Sequence, residues 1–192
     1  MFFPQPVAAP DGRSAYALLH RPANEERPGI WLSFADSETL TVLTGHRRVA
    51  GPEHPWEELK IGAGPPPLRV DEGWLLIHHG VAGELVPGLD LQPRVRYCAG
   101  AMLLDAEEVW RVTARTERPL LEPETGEERD GIVPNVVFPT AVDERGDDTV
   151  DVYYGMADSR IGVARLTRPE AAPAARSAAA RSAPPRRTSR QP

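Results

Sequence analysis

Residues Lys60–Val81 read KIGAGPPPLRVDEGWLLIHHGV. Asp71-Glu72 is a turn signal, and the apolar run Gly73–His79 (GWLLIHH) follows it directly. A run this short, opened by a turn, reads as a buried strand rather than a helix. Lys60–Pro66 reads as a loop, in which glycines allow close backbone approach and prolines fix φ. Outward from this stretch the same sequence of turn and strand recurs. Upstream, Ser14–His20 (SAYALLH) follows Asp11-Gly12 and Gly29–Phe34 (GIWLSF) follows Pro28. Downstream, Arg96–Leu104, Val109–Ala114, Ile132–Phe138, Thr149–Gly155 and Arg160–Leu166 are strand-like, with a turn-rich connection over Asp143–Asp148. Val109–Ala114 (VWRVTA) alternates, placing Val109, Arg111 and Thr113 on one face and Trp110, Val112 and Ala114 on the other. No helical pattern of about 10–15 residues intervenes, so an all-β protein is expected and a parallel βαβ sheet is not. Periodicity leaves sandwich, barrel and propeller blades open.

The chain has 192 residues, 41% of them hydrophobic and 26% charged, enough apolar content for a core. Its 21 prolines and 16 glycines predict many turns. No apolar run reaches the roughly 18 residues that span a bilayer, and MFFPQPVAAP lacks a signal-peptide pattern. A cytoplasmic protein is expected. Cys98 is the single cysteine, which excludes an internal disulfide and a cysteine-rich zinc site. The net charge is −6 overall but +4 over residues 169–192, leaving −10 on the body. That acidic body offers no basic stripe to nucleic acid. Residues 168–192, rich in Ala, Pro, Arg and Ser, are expected to be a disordered tail after a folded region spanning 1–167. Lys60 is the only lysine among 22 basic residues.

Polar and glycine-rich clusters interrupt the apolar runs at His20-Arg21-Pro22, Lys60–Pro66, Gly73–Val81, Pro134–Pro139 and Tyr153–Asp158. Singly, each has a plain structural explanation: Arg21 and Lys60 as solvated charges, Asp158 as a turn cap, one of His78 and His79 facing inward and the other outward. Adjacent histidines diverge on a strand, so no metal site is expected. Together, Arg, Lys and His at strand ends suit an oxyanion such as phosphate. Trp74, Tyr97, Tyr153 and Tyr154 are candidate platforms for sugar rings, and Asp158 a candidate acceptor for sugar hydroxyls.

These residues lie in motifs that resemble glycoside hydrolase family 130, the β-mannoside phosphorylases and related glycosidases. Lys60–Val81 resembles that family's K-x-G-x-G-x-P-P loop followed by GWL-x-x-(Y/H)-HGV. FFP…DGRSAYALLHRP, YCAGAMLLD, RPLLEP, PNVVFP and YYGMAD resemble further family segments, in the same order, over roughly residues 2–166. The resemblance implies a five-bladed β-propeller and inverting transfer of a mannosyl group from a β-mannoside to inorganic phosphate, with no other cofactor. It places phosphate on Arg21, Lys60 and His79 with Tyr97 nearby, and the −1 sugar on Asp158. Family hydrolases tend to lack that basic set, so a phosphorylase is expected over a hydrolase of β-mannosides.

A propeller blade takes about 40–50 residues, so this chain holds about three blades. The family's general acid, an aspartate preceding the lFP…HRP region, is expected upstream of Met1, and no catalytic residue is assigned within the chain. The alternative is a non-catalytic, degenerate partial propeller. Open blade faces lead to the expectation of self-association or of a complementing chain, with β-mannoside oligosaccharide and phosphate as ligands and neither nucleic acid nor membrane as partner.

Overall fold

The computed structural model describes residues 1–23, 26, 28–35, 40–89, 92–146 and 148–168. Its strands form three antiparallel sheets that follow one another along the chain. The first holds β1 (Val7–Ala8), β2 (Ser14–His20), β3 (Ile30–Ala35) and β4 (Leu43–Ala50) in that order. In the second, β5 (Lys60–Ala63) and β6 (Leu68–Val70) share one side of β7 (Gly73–Gly83), and β8 (Val95–Leu104) and β9 (Val112–Arg115) continue on the other. The third is β10 (Val137–Gly146), β11 (Thr149–Met156) and β12 (Arg160–Thr167). Successive antiparallel meanders, each packed on the next, are the pattern of propeller blades, and three are present as expected.

Alternation decides the packing. Ala17, Leu19, Ile30, Leu32 and Phe34 of the first sheet bury against Ile61, Trp74, Leu76, Met102 and Leu104 of the second. The opposite face of the second sheet carries Ala99, which packs with Val137 and Tyr154 of the third. The middle sheet is therefore covered on both faces, and β7 is buried almost throughout. This corrects the expectation that only one of two adjacent histidines faces inward: His78 and His79 are both buried. Trp74 is likewise a core residue, ring to ring with Phe3 at 5.1 Å, and not a sugar platform.

A 3-10 turn, Pro55–Glu57, docks on β7 and β8 through Trp56. Gly80 and Gly100 make room for that indole: a Cβ on either would lie 2.5–2.6 Å from its ring atoms. The short helix α1 (Gly126–Arg129) is fastened to β11 by Tyr154, whose hydroxyl donates to Glu128 Oε1 at 2.8 Å. Tyr154 is thereby a structural residue rather than a free platform. Tyr154→Phe is expected to lower stability by about 1–3 kcal/mol, since it strips a partner from a buried carboxylate. Urea unfolding should show a lower midpoint at unchanged slope.

Several boundaries differ from the sequence reading. Lys60–Ala63 is strand β5 rather than loop, paired to β7 with Lys60 opposite Val81 and Gly62 opposite His79. Ile132–Asn135 forms bends, and β10 begins only at Val137. β10 then continues to Gly146, so the turn within Asp143–Asp148 is confined to its end. Val109–Arg111 turn, with Val109 buried in the first core, and β9 starts at Val112. The expected tail lies almost wholly outside the described residues. On the outer sheet, Ile161 and Val163 are 79% and 57% exposed, an apolar pair of the kind a neighbouring blade would cover.

Candidate active site

The site is built where the three sheets meet. Register places Lys60, Val81 and Tyr97 in one row across β5, β7 and β8, and Gly62, His79 and Ala99 in the row beside it. Side chains two residues apart share a face, so both rows look toward the third sheet. From that sheet Phe138 lays its ring on His79, centroid to centroid 4.5 Å. From the first sheet, the chain leaving β2 carries Arg21 across Gly62, and Arg21 Nη1 comes within 3.4 Å of His79 Nε2. Lys60 Nζ lies 5.4 Å from the centre of the Tyr97 ring, and the Tyr97 and His79 rings are 6.2 Å apart. Arg21, Lys60, His79 and Tyr97, distant in sequence, thus form one group.

Gly62 permits this convergence. A Cβ there would stand 2.5 Å from His79 Cε1, 2.7 Å from Nε2 and 3.0 Å from Arg21 Nη1. The electrostatics are unusual for an acidic chain. Among the described residues neither Arg21 nor Lys60 pairs with a carboxylate. Burial, then the charges of Arg21, His78 and Lys60, hold the His79 imidazole down to about 3, so it is neutral near physiological pH. Its Nδ1 is buried with no hydrogen-bond partner among the described residues. Two cations with no carboxylate partner among the described residues, beside a neutral imidazole, have the chemistry to hold an anion.

Asp158 stands apart. It is exposed in the turn between β11 and β12 at φ +51°, with no hydrogen bond or ion pair to the basic group. Its turn is nevertheless anchored nearby: Ala157 N–H donates to Val136 O at 3.1 Å, and Tyr97 N–H donates to the adjoining Asn135 O at 2.9 Å.

On the other face of β7, His78 Nε2 lies 3.4 Å from Glu57 Oε2. Arg115 Nη2 donates to both Glu57 oxygens at 2.7 and 2.6 Å. Burial, the largest influence, lowers the His78 pKa although Glu57 opposes it. This buried ion pair underlies the strand that presents His79.

The sequence profile described as β-1,4-mannooligosaccharide phosphorylase, glycoside hydrolase family 130, matches residues 7–171. The chain belongs to glycoside hydrolase family 130. It is 40% identical over 152 residues to a 1,2-β-oligomannan phosphorylase of Thermoanaerobacter sp. (strain X514), covering 79% of this chain and 46% of that protein. To a β-1,4-mannooligosaccharide phosphorylase of Ruminococcus albus it is 35% identical over 154 residues, covering 79% and 44%. The structure of the β-1,2-mannobiose phosphorylase of Listeria innocua, solved with β-1,2-mannobiose, superposes with a TM-score of 0.72 at 31% identity over 87% of this chain and 43% of that one. The family 130 chain described here therefore spans under half the length of these relatives, and its three sheets are part of the family's five-bladed propeller.

Within this group of residues, the sequence left two members unassigned. Gly62 and Phe138 lie inside quoted motifs, but their roles, giving room to His79 and pinning it, depend on strands 17 and 59 residues away from it. Glu57 and Arg115 had no local signal, being 58 residues apart. Among the described residues no three His, Cys, Asp or Glu side chains could hold a metal, and no helix is long and apolar enough to cross a membrane.

Proposed function

We propose that this chain forms the phosphate-holding side of a β-mannoside phosphorylase. The observation that carries this reading is the meeting of Arg21 and Lys60, neither neutralised by a carboxylate among the described residues, at His79 and Tyr97. In the proposed reaction a phosphate oxygen forms a bond to the anomeric carbon as the bond to the glycosidic oxygen breaks on the opposite face. The configuration inverts, and a β-mannoside yields α-mannosyl phosphate. The departing oxygen takes a proton from a general acid. The family resemblance puts that acid ahead of the FFP…HRP segment. The present residues bind and orient the nucleophile. Arg21 offers forked N–H donors, Lys60 a compact charge and Tyr97 a hydroxyl. Asp158, on the turn tied to Val136, is proposed to accept hydroxyls of the −1 sugar. A hydrolase would use water as the nucleophile and would have no need of two unpaired cations, so the basic group favours phosphorolysis.

Titration calorimetry with inorganic phosphate tests the reading. Arg21→Ala and Lys60→Ala should each weaken binding about tenfold or more, because each removes a charge-assisted contact. Unchanged affinity in both variants would reject the site.

A further inference from the structure

This inference rests on the anion site just proposed and concerns which oxyanion it takes. Arg21 and Lys60 can only donate hydrogen bonds, and the Tyr97 hydroxyl can do either. His79 differs. Its Nε2 faces Arg21 Nη1 at 3.4 Å, and a guanidinium nitrogen cannot accept, so Nε2 bears the lone pair and Nδ1 the proton. The ring is locked in that orientation between Phe138 at 4.5 Å and the backbone of Gly62. The charged or titratable groups around it are Arg21, Lys60, Tyr97 and its chain neighbour His78; Phe138 and Ala99 bring no charge. Arg21 and Lys60 oppose protonation of the ring in the empty site. The cradle therefore contains cationic donors and one fixed, neutral acceptor.

We propose that His79 Nε2 accepts the hydroxyl hydrogen of hydrogen phosphate, so that the site selects oxyanions carrying an acidic proton over sulfate. Hydrogen phosphate and sulfate share charge and tetrahedral shape, and differ in that one keeps an O–H. With hydrogen phosphate bound, Arg21 turns its donors to the anion and the P–OH replaces Arg21 at Nε2. Sulfate would set an oxygen lone pair against the Nε2 lone pair, or would require a proton from solvent on His79. Sites built around a substrate hydroxyl discriminate strongly against analogues that lack it, because a buried polar atom is left unpaired.

The test is titration calorimetry on the full chain with phosphate, arsenate and sulfate at equal ionic strength. The pH is set above the second ionisation of phosphate, in two buffers of different ionisation enthalpy. Phosphate and arsenate should bind at least about tenfold more tightly than sulfate, with no net proton uptake. Arg21→Ala should weaken phosphate and arsenate alike. Equal affinity for sulfate, or uptake of one proton on binding phosphate, overturns the inference. If those results come with weakened binding in Arg21→Ala and Lys60→Ala, the phosphate site itself stands. If no anion binds, or neither variant alters binding, the site reading falls and this inference with it.

Discussion

Glu57→Ala is expected to lower stability by about 3–5 kcal/mol, the cost of removing one partner of a buried ion pair. Glu57 is fully buried, yet its carboxylate is saturated with donors. Oε1 accepts the Glu53 and His54 amides at 2.9 Å each, and both oxygens accept from Arg115. The Arg115 side chain is only 7% exposed and would keep Glu53 and Gly51 O as partners. Burial alone would raise the Glu57 pKa, but the His78, Glu53, His54 and Arg115 contacts outweigh it and hold the group at about 2 against an ordinary 4.5. A carboxyl depressed on folding stabilises the native state above its unfolded pKa. That stability drains away as pH falls from about 4.5 toward 2. Urea unfolding as a function of pH checks both points. Wild type should lose stability across that window, and Glu57→Gln should be less stable at neutral pH with a flatter acid limb. Equal acid limbs would mean that the pair contributes nothing.

Gly62→Ala is expected to weaken phosphate binding about a hundredfold, without removing any polar group from the site. The added methyl would meet His79 at 2.5–2.7 Å, and His79 cannot retreat because Phe138 stands against its ring. The same methyl crowds Arg21 Nη1, so the acceptor and a donor of the cradle move together. Calorimetry gives the affinity, and a thermal melt shows whether the chain stays folded. Wild-type affinity in a folded Gly62→Ala protein would show that the anion does not depend on the Arg21–His79 geometry.

Strands with apolar alternation and a turn before them were legible. Ser14–His20 forms β2 with the boundaries read from the sequence, and the runs at Thr149 and Arg160 form β11 and β12. β4 (LTGHRRVA) was not, because an edge strand with half of its residues exposed and only one buried carries no apolar signal. β5 was hidden by its glycine, which reads as a loop locally but in the fold admits a side chain from the neighbouring strand. Ile132 misled in the other direction: it is apolar yet 64% exposed, in a bend rather than a strand. At the site, the types and order of Arg21, Lys60, His79 and Tyr97 were legible through motif resemblance. Their meeting was expected from residue type and resemblance, but the rows that produce it were not legible, since register between β5, β7 and β8 is a pairing property that no single segment encodes. Nor was the pairing of Glu57 with Arg115, each of which reads locally as an ordinary solvated charge.

The two adjacent imidazoles of β7 occupy opposite charge settings. His78 rests on a carboxylate, whereas His79 sits among cations and must stay neutral. A slip of β7 by one position would either present His78 to Arg21 and leave Glu57 opposite Ile77, or bring His79 to Glu57 and leave Arg21 opposite Gly80. The strand's alignment is thus set by electrostatics as well as by its apolar side chains. Misaligned pairings are penalised twice, once in buried surface and once in stranded charge. Tandem histidines in a doubly covered strand act here as an address that only one register can satisfy.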